Sequence, residues 1–412
     1  MPQPPALGPL VAFAHRDFRC YQVARLAGTL GTQMQSVAVG WQIYELSKSA
    51  FDLGMVGLLQ FAPALFLALV TGHVADRFDR RLILLICQAL MALCAGALYG
   101  ITQSGMTTQH GLMPIYAILI ILGTARAFGG PAASALLPSL VPPAHFGNAL
   151  AWNSSMWQIA TVLGPALGGV LYGLSQGPAS VYLAFGVLEL VALGATAALR
   201  IRTGRMEQGG ASWARLLAGI TYVRSHQVLL GAISLDLFAV LLGGAVALLP
   251  IYARDILYIG PLGLGILRSA PAFGAAVMAV FLAYRPLRRN AGRMMLACVA
   301  VFGAGTCVFA LSTSFTLSLI CLVVIGAADL ISVYVRTSLV QMRTPPAMRG
   351  RVGAVNQVFV GASNELGEFE SGLTAAWFGT VPATLIGGIG TIIVVALWAW
   401  RFPKLRDADE LV

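Results

Sequence analysis

The chain has 412 residues, of which 58% are hydrophobic and only 10% charged, and its mean hydropathy is +0.80. A water-soluble globule cannot hide that much apolar surface, which excludes a soluble enzyme or a cytosolic binding module. The formal net charge is +10, and its placement along the chain, rather than its size, decides what it means.

Apolar segments of about 20 residues, each long enough to cross a bilayer, recur near 20–45, 51–72, 82–101, 112–138, 146–173, 179–199, 228–252, 259–283, 294–311, 315–341, 352–377 and 381–400. Backbone polar groups cannot go unsatisfied in hydrocarbon, so these segments are expected to be helices. The 46 glycines fit closely packed membrane helices. The expectation is an all-α integral membrane protein with 12 transmembrane helices. The Pro-rich start, Met1 to Pro9, is not followed by a short apolar core with a small-residue cleavage site, so no cleavable signal peptide is expected.

In chain order, the first span carries Arg25 and a polar-aromatic set: Gln33, Gln35, Trp41, Gln42 and Tyr44. Substrate recognition and simple helix-to-helix hydrogen bonding both remain open for that set. Between the second and third spans lies Gly72-His73-Val74-Ala75-Asp76-Arg77-Phe78-Asp79-Arg80-Arg81. So dense a run of charge between two apolar segments must sit at a membrane face. The fourth span carries Arg126, the fifth carries Gly164-Pro165-Ala166-Leu167-Gly168-Gly169, and the sixth carries Glu189. Small residues permit close helix contact, and an internal Pro bends a helix.

The longest polar stretch, Arg200 to Gln227, divides six spans from six. Within it Trp213, Leu216, Leu217 and Ile220 share one face at helical spacing, as an amphipathic helix at the interface would. The expected organisation is a six-helix bundle over 1–200, a cytoplasmic linker over 201–227 and a second six-helix bundle over 228–412. The halves repeat: Pro142-Pro143 corresponds to Pro345-Pro346, and the same register pairs Gly123 with Gly326, Arg126 with Asp329, Gly147 with Gly350 and Asn153 with Asn356.

The second half holds Asp236, Arg268, Asp329, Arg336, Glu365, Glu368 and Glu370 inside apolar segments. An ionisable residue at that depth is costly and is by default a functional candidate. Asp329 and Arg336 fall two turns apart on one face, as members of one network. Gln357, Gly361, Glu365 and Glu368 lie on one stripe at spacings of four, four and three, which is expected to face a wet cavity, and Gln33, Gln42, Gln357 and Asn356 are the cavity's polar candidates. A carboxylate that alternates between dry and wet surroundings can load and release a proton. Glu368, Asp236 and Glu365, in that order, then Asp329 and Glu189, are the proton-coupling candidates. Arg25, Arg126, Arg268 and Arg336 are the buried cations that could tune them or meet a substrate. Fixed ion pairs are the plain alternative for each.

All but six of the 26 lysines and arginines fall on one side of such a topology. The exceptions are Lys48 and Arg254 on the other side, and the four arginines within spans. This asymmetry is the positive-inside rule, so both termini are expected to be cytoplasmic and nucleic acid is not an expected partner. The six cysteines lie in or at the ends of spans, and the five histidines lie at edges or in loops without metal-ligand spacing. No metal, no cofactor and no direct use of ATP are expected.

Gly72, Asp76, Arg77, Arg80 and Arg81 resemble the signature loop between the second and third helices of major facilitator superfamily transporters. The resemblance implies the major facilitator fold over about 15–402, two six-helix pseudo-repeats around a midplane site, and alternating access. It also implies that Asp76 faces the start of the eleventh helix and closes a gate. Arg126 with Gly130 is similar to the buried-arginine motif of proton-coupled drug antiporters. Gly164, Pro165, Gly168 and Gly169 are similar to the antiporter motif, with Ala160 replacing its first glycine. Asn364 to Gly372 and Leu249 to Asp255 resemble the enterobactin-exporter branch, which moves catecholate siderophores and other amphipathic compounds outward. Together these imply a monomeric, proton-coupled exporter of small amphipathic molecules among the lipids of a bacterial inner membrane, and not an enzyme. A lysophospholipid or lipid flippase of the same fold, or a transporter-like sensor, is the alternative.

Overall fold

A computed structural model describes residues 8–107, 111–201, 213–287 and 289–409, and no strand occurs among them. The helices are α1 (Arg16–Ser47), α2 (Ala50–Arg77), α3 (Arg80–Gln103), α4 (Met113–Leu136), α5 (Phe146–Ser175), α6 (Ala179–Ala197), α7 (Trp213–Ser225), α8 (Gln227–Leu242), α9 (Gly260–Tyr284), α10 (Ala291–Leu311), α11 (Phe315–Arg343), α12 (Pro346–Phe378) and α13 (Thr380–Arg401). Ten helical segments among the described residues are long and apolar enough to cross a membrane. α1 and α12, with 32 and 33 residues, are not among these ten and carry more polar and charged side chains; their lengths are consistent with a total of 12 spans. Large apolar side chains such as Phe66, Leu93, Leu174 and Trp400 are mostly exposed, as expected of surfaces solvated by lipid.

The seventh span is not one smooth helix. After α8 ends at Leu242, the chain makes a short turn over Ala245–Leu248 and closes through a π-helical turn at Tyr252–Ile256. The reason is steric. A side chain at Gly244 would lie 2.6 Å from the Gly367 carbonyl carbon and 2.7 Å from Ser371 Oγ. The backbone there passes α12 at a distance that only glycine allows.

Two compact units emerge from the contacts. One holds the described residues up to Val39 and from Ala62 through Ile201; the other holds Gly40–Phe61 and the described residues from 213 onward. In the first unit α3 packs against both α4 and α6. Its core includes Phe18, Tyr21, Leu84, Ala125, Leu136, Ala149 and Leu199. The glycine motif of α5 lies against α1: a Cβ at Gly164 would sit 2.5 Å from Gln33 Cβ, and one at Gly168 would sit 2.9 Å from Met34 Cα.

In the second unit α10 packs on α11 and α13, and α9 on α11. The core gathers Leu235, Met295, Val335, Leu339, Val394 and Leu405. The apolar face of α7 is used on protein: Val223, with Ile220 beside it, packs with Leu229, Val340, Val352 and Val355. The side chains of Trp213, Arg215 and Leu216 lie outside the described residues. Residues 40–61, the end of α1 and the start of α2, complete this unit. A Cβ at Gly54 would meet the Phe369 carbonyl oxygen at 3.0 Å and Gly372 Cα at 3.1 Å.

Candidate functional site

Charged residues that the apolar helices carry fall into three groups. The first surrounds a cavity of about 340 Å³ wholly within the first unit. It is lined by one face of α1 (Tyr21, Arg25, Gly28, Thr29, Thr32, Gln33) and one face of α3 (Leu84, Cys87, Gln88, Met91), each at three- and four-residue spacing. Arg126, Gly129 and Gly130 come from α4, Trp157 from α5 and Glu189 from α6. Glu189 is 0% exposed, and neither of its carboxylate oxygens has a hydrogen-bond partner among the described residues. The sequence-predicted residues Arg25, Arg126, Gln33 and Glu189 are thus brought to one cavity. The glycine motif Gly164, Pro165, Gly168 and Gly169, buried on α5, supports its wall by holding α5 against α1.

The second group is in the second unit. Arg336 Nη1 of α11 donates to Asp236 Oδ2 of α8, and both side chains are at most 5% exposed. The partner of Arg336 is therefore on another helix rather than along its own face. Asp329 lines, with Asp236 and Ser332, a space of about 10 Å³, room for at most one water. Ser332 Oγ and Arg336 Nε have no partner among the described residues. One guanidinium thus serves a site with two carboxylates.

The third group lies where residues 40–61 meet the rest of the second unit. Tyr44 donates to Asp255 Oδ2, Arg254 approaches Glu45 at 3.7 Å, and the Arg254 guanidinium lies 5.9 Å from the centre of the Trp41 ring. Glu368 packs on the α2 backbone: a Cβ at Gly57 would lie 2.8 Å from Glu368 Oε2 and 3.3 Å from the Glu365 carbonyl oxygen. Arg268 Nη1 lies 3.9 Å from where a Cβ of Gly40 would be. Gln42 is buried, Gln357 is exposed, and Asn356 is half-buried with no partner for its Oδ1 among the described residues. Thr374 donates to Glu370 at 2.8 Å.

The signature loop does something the sequence reading did not assign to it. The buried Arg80 donates to Ala75 O (3.3 Å) and Ala135 O (2.9 Å), at the ends of α2 and α4. Arg81 donates to Thr196 O (3.3 Å) and Ala197 O (2.6 Å), at the end of α6. Helix C-termini leave carbonyls unsatisfied and carry partial negative charge, so the two arginines cap three helix ends at once. Asp79 caps the start of α3 by accepting from Arg81 N at 3.0 Å. Gly72 is half-buried and Arg77 exposed. The side chain of Asp76 lies outside the described residues.

Comparison with known proteins agrees with this architecture. A family model described as a transmembrane secretion effector matches residues 7–411. The chain is 25% identical to the enterobactin exporter EntS of Citrobacter koseri over 402 residues, covering 95% of this chain and 93% of that one. It is also 25% identical to the enterobactin exporter EntS of Shigella boydii serotype 18, with the same coverage. Among solved structures, the nucleoside transporter NupG superposes with a TM-score of 0.70 at 15% identity, over 94% of this chain and 99% of that one. A bacterial homolog of the human lysosomal transporter Spinster gives 0.71 at 15% identity, over 96% and 98%. The fold is the major facilitator fold.

Proposed function

The chain belongs to the transmembrane secretion effector family, and on that premise we propose that it is a proton-coupled exporter of small amphipathic molecules, siderophores or drug-like compounds. It works by alternating access in a bacterial inner membrane, with both termini cytoplasmic. The names of the EntS relatives support export and a siderophore-like cargo. The charge asymmetry of the loops supports the orientation.

One observation supports the coupling: Asp236 and Asp329 line one small space, and Arg336 is the cation paired with Asp236 among the described residues. Two carboxylates with one arginine leave a surplus negative charge in a low-dielectric site, and one proton relieves it. Glu368, packed on Gly57, is the competing carrier.

The test is uptake of enterobactin, and separately of ethidium, into inside-out proteoliposomes under an imposed pH gradient. Accumulation is expected to collapse when the gradient is dissipated. Asp329→Asn should lose accumulation yet keep exchange of cargo for cargo. Accumulation that ignores the gradient would refute proton coupling. Wild-type accumulation by Asp329→Asn, with loss in Glu368→Gln, would move the carrier to Glu368.

A further inference from the structure

A groove of about 630 Å³ lies wholly within the second unit, between α9 and α11. Its origin is a contact further back along both helices. A Cβ at Gly274 would run into the Val323 carbonyl oxygen, and one at Gly326 into that of Pro271, so the two backbones touch there. Past that contact the helices run on in the same direction and line the groove together. Leu282, Ala283 and Pro286 are on the α9 wall, and Leu330 and Val333 begin the α11 wall. The volume falls within the range of ligand pockets.

The groove is graded in polarity. Tyr334, Thr337, Ser338 and Gln341 continue the α11 wall, on one face at three- and four-residue spacing. Each side chain can donate a hydrogen bond, and none of the four donates one among the described residues. They lead to the end of the groove, where Pro286 has stopped α9 at Tyr284. Arg285 and Arg289 stand on either side of that proline in the chain, both exposed and neither in an ion pair among the described residues. No Asp or Glu occurs from Ala279 to Arg293 or from Leu330 to Asn364. The acids that the end of the chain brings to this loop are engaged: Asp407 lies 3.8 Å from Arg293, and Asp409 accepts from the Asn290 amide. The groove thus runs from apolar walls, through free donors, to uncompensated positive charge.

We propose that it is a binding site for an anionic phospholipid. An acyl chain lies along Leu282, Leu330 and Val333, and the ester and phosphate oxygens accept from the α11 donors beside Arg285 and Arg289. A basic pocket between membrane helices suits an anionic headgroup, and phosphate oxygens suit a stripe of donors. A free anion would leave the apolar walls unmet, and an amphiphilic ammonium would meet the charge of the arginines. The lipid is a resident ligand and not the cargo, so the inference stands apart from the export reading.

The experiment titrates the delipidated full chain in detergent with dioleoylphosphatidylglycerol and, separately, with dioleoylphosphatidylcholine, and counts bound lipid by native mass spectrometry. A single tight site is expected, roughly fivefold or more tighter for the anionic lipid. Ala283→Trp, which fills the groove, should remove that site. Arg285→Gln together with Arg289→Gln should keep a bound lipid and lose the preference. If Ala283→Trp does not fold, Thr337→Trp, at an exposed position, decides in the same way. Equal binding of the two lipids to the wild type, or an undiminished tight site in the folded Trp variant, would overturn the proposal. Displacement of the phosphatidylglycerol by inorganic phosphate would assign the arginines to a free anion, and displacement by enterobactin would make the groove a cargo site. Either result overturns a resident lipid.

Discussion

Asp236 and Arg336 hold each other in a place neither could occupy alone. Removing one partner strands the other charge in a dry interior, at a cost of about 3–5 kcal/mol. Asp236→Ala is therefore expected to lower the thermal unfolding temperature sharply in detergent. The paired change Asp236→Leu with Arg336→Met should recover most of that stability while transport stays lost. A double variant as unstable as the single one would show that the pair is not the unit of stability. At Arg126, Ala should abolish transport, and Lys should restore it only in part, because Lys lacks the planar fork of donors. Full activity of Arg126→Lys would reduce the residue to a point charge. The sequence exposed every one of these charges, since each interrupts an apolar run. It could not show their partners: Asp236 lies 100 residues from Arg336, and periodicity reports only the face of a single helix. That Glu189 meets no hydrogen-bond partner among the described residues was equally hidden, because periodicity does not report what a buried side chain faces.

The α1–α5 seam of the first unit rests on glycine, and its tolerance can be read from distances. A Cβ at Gly168 would lie 2.9 Å from Met34 Cα and 3.0 Å from its carbonyl oxygen, and backbone atoms cannot swing aside. Gly168→Ala is expected to cost about 1–3 kcal/mol. Gly96→Ala, on α3 with nothing within 4 Å, should be neutral or stabilise by up to about 1 kcal/mol. Equal melting temperatures for the two variants would contradict the seam. The C-terminal end offers a second check. Asp409 Oδ1 accepts from Asn290 N at 2.8 Å, and Ala408 O accepts from Gly292 N at 3.0 Å, so the chain's last described residues cap the start of α10. Truncation after Arg406 should lower the melting temperature. An unchanged melting temperature would show that the tail does not hold α10. Most helices were legible, because hydropathy marks length in a membrane. The break after α8 was not, since its cause is the approach of Gly244 to a helix more than a hundred residues further on.

At the scale of the molecule, the described residues form two compact units whose boundary does not follow the chain. Residues 40–61 belong with the second unit, through Gly54 on α12 and Tyr44 on Asp255. A chain split within 202–212 and expressed as two fragments is expected to co-purify, because the first fragment carries a docking piece of the second unit. Gly54→Leu should abolish co-purification while each fragment still inserts. Unchanged co-purification would place the association elsewhere. The sequence could not reveal this exchange, because hydropathy divides a chain by its order and not by its neighbours.

The arginines that cap three helix ends also set a schedule. Arg80 finds one acceptor 55 residues later in the chain, and Arg81 finds its acceptors 115 and 116 residues later. At a synthesis rate of about 5–20 residues per second, Arg81 waits on the order of ten seconds after it is made. Until α6 has entered the membrane, the loop joining α2 to α3 is held through Arg80 alone, and Arg81 has not met its acceptors. The capping of the first unit is therefore finished by its last helix.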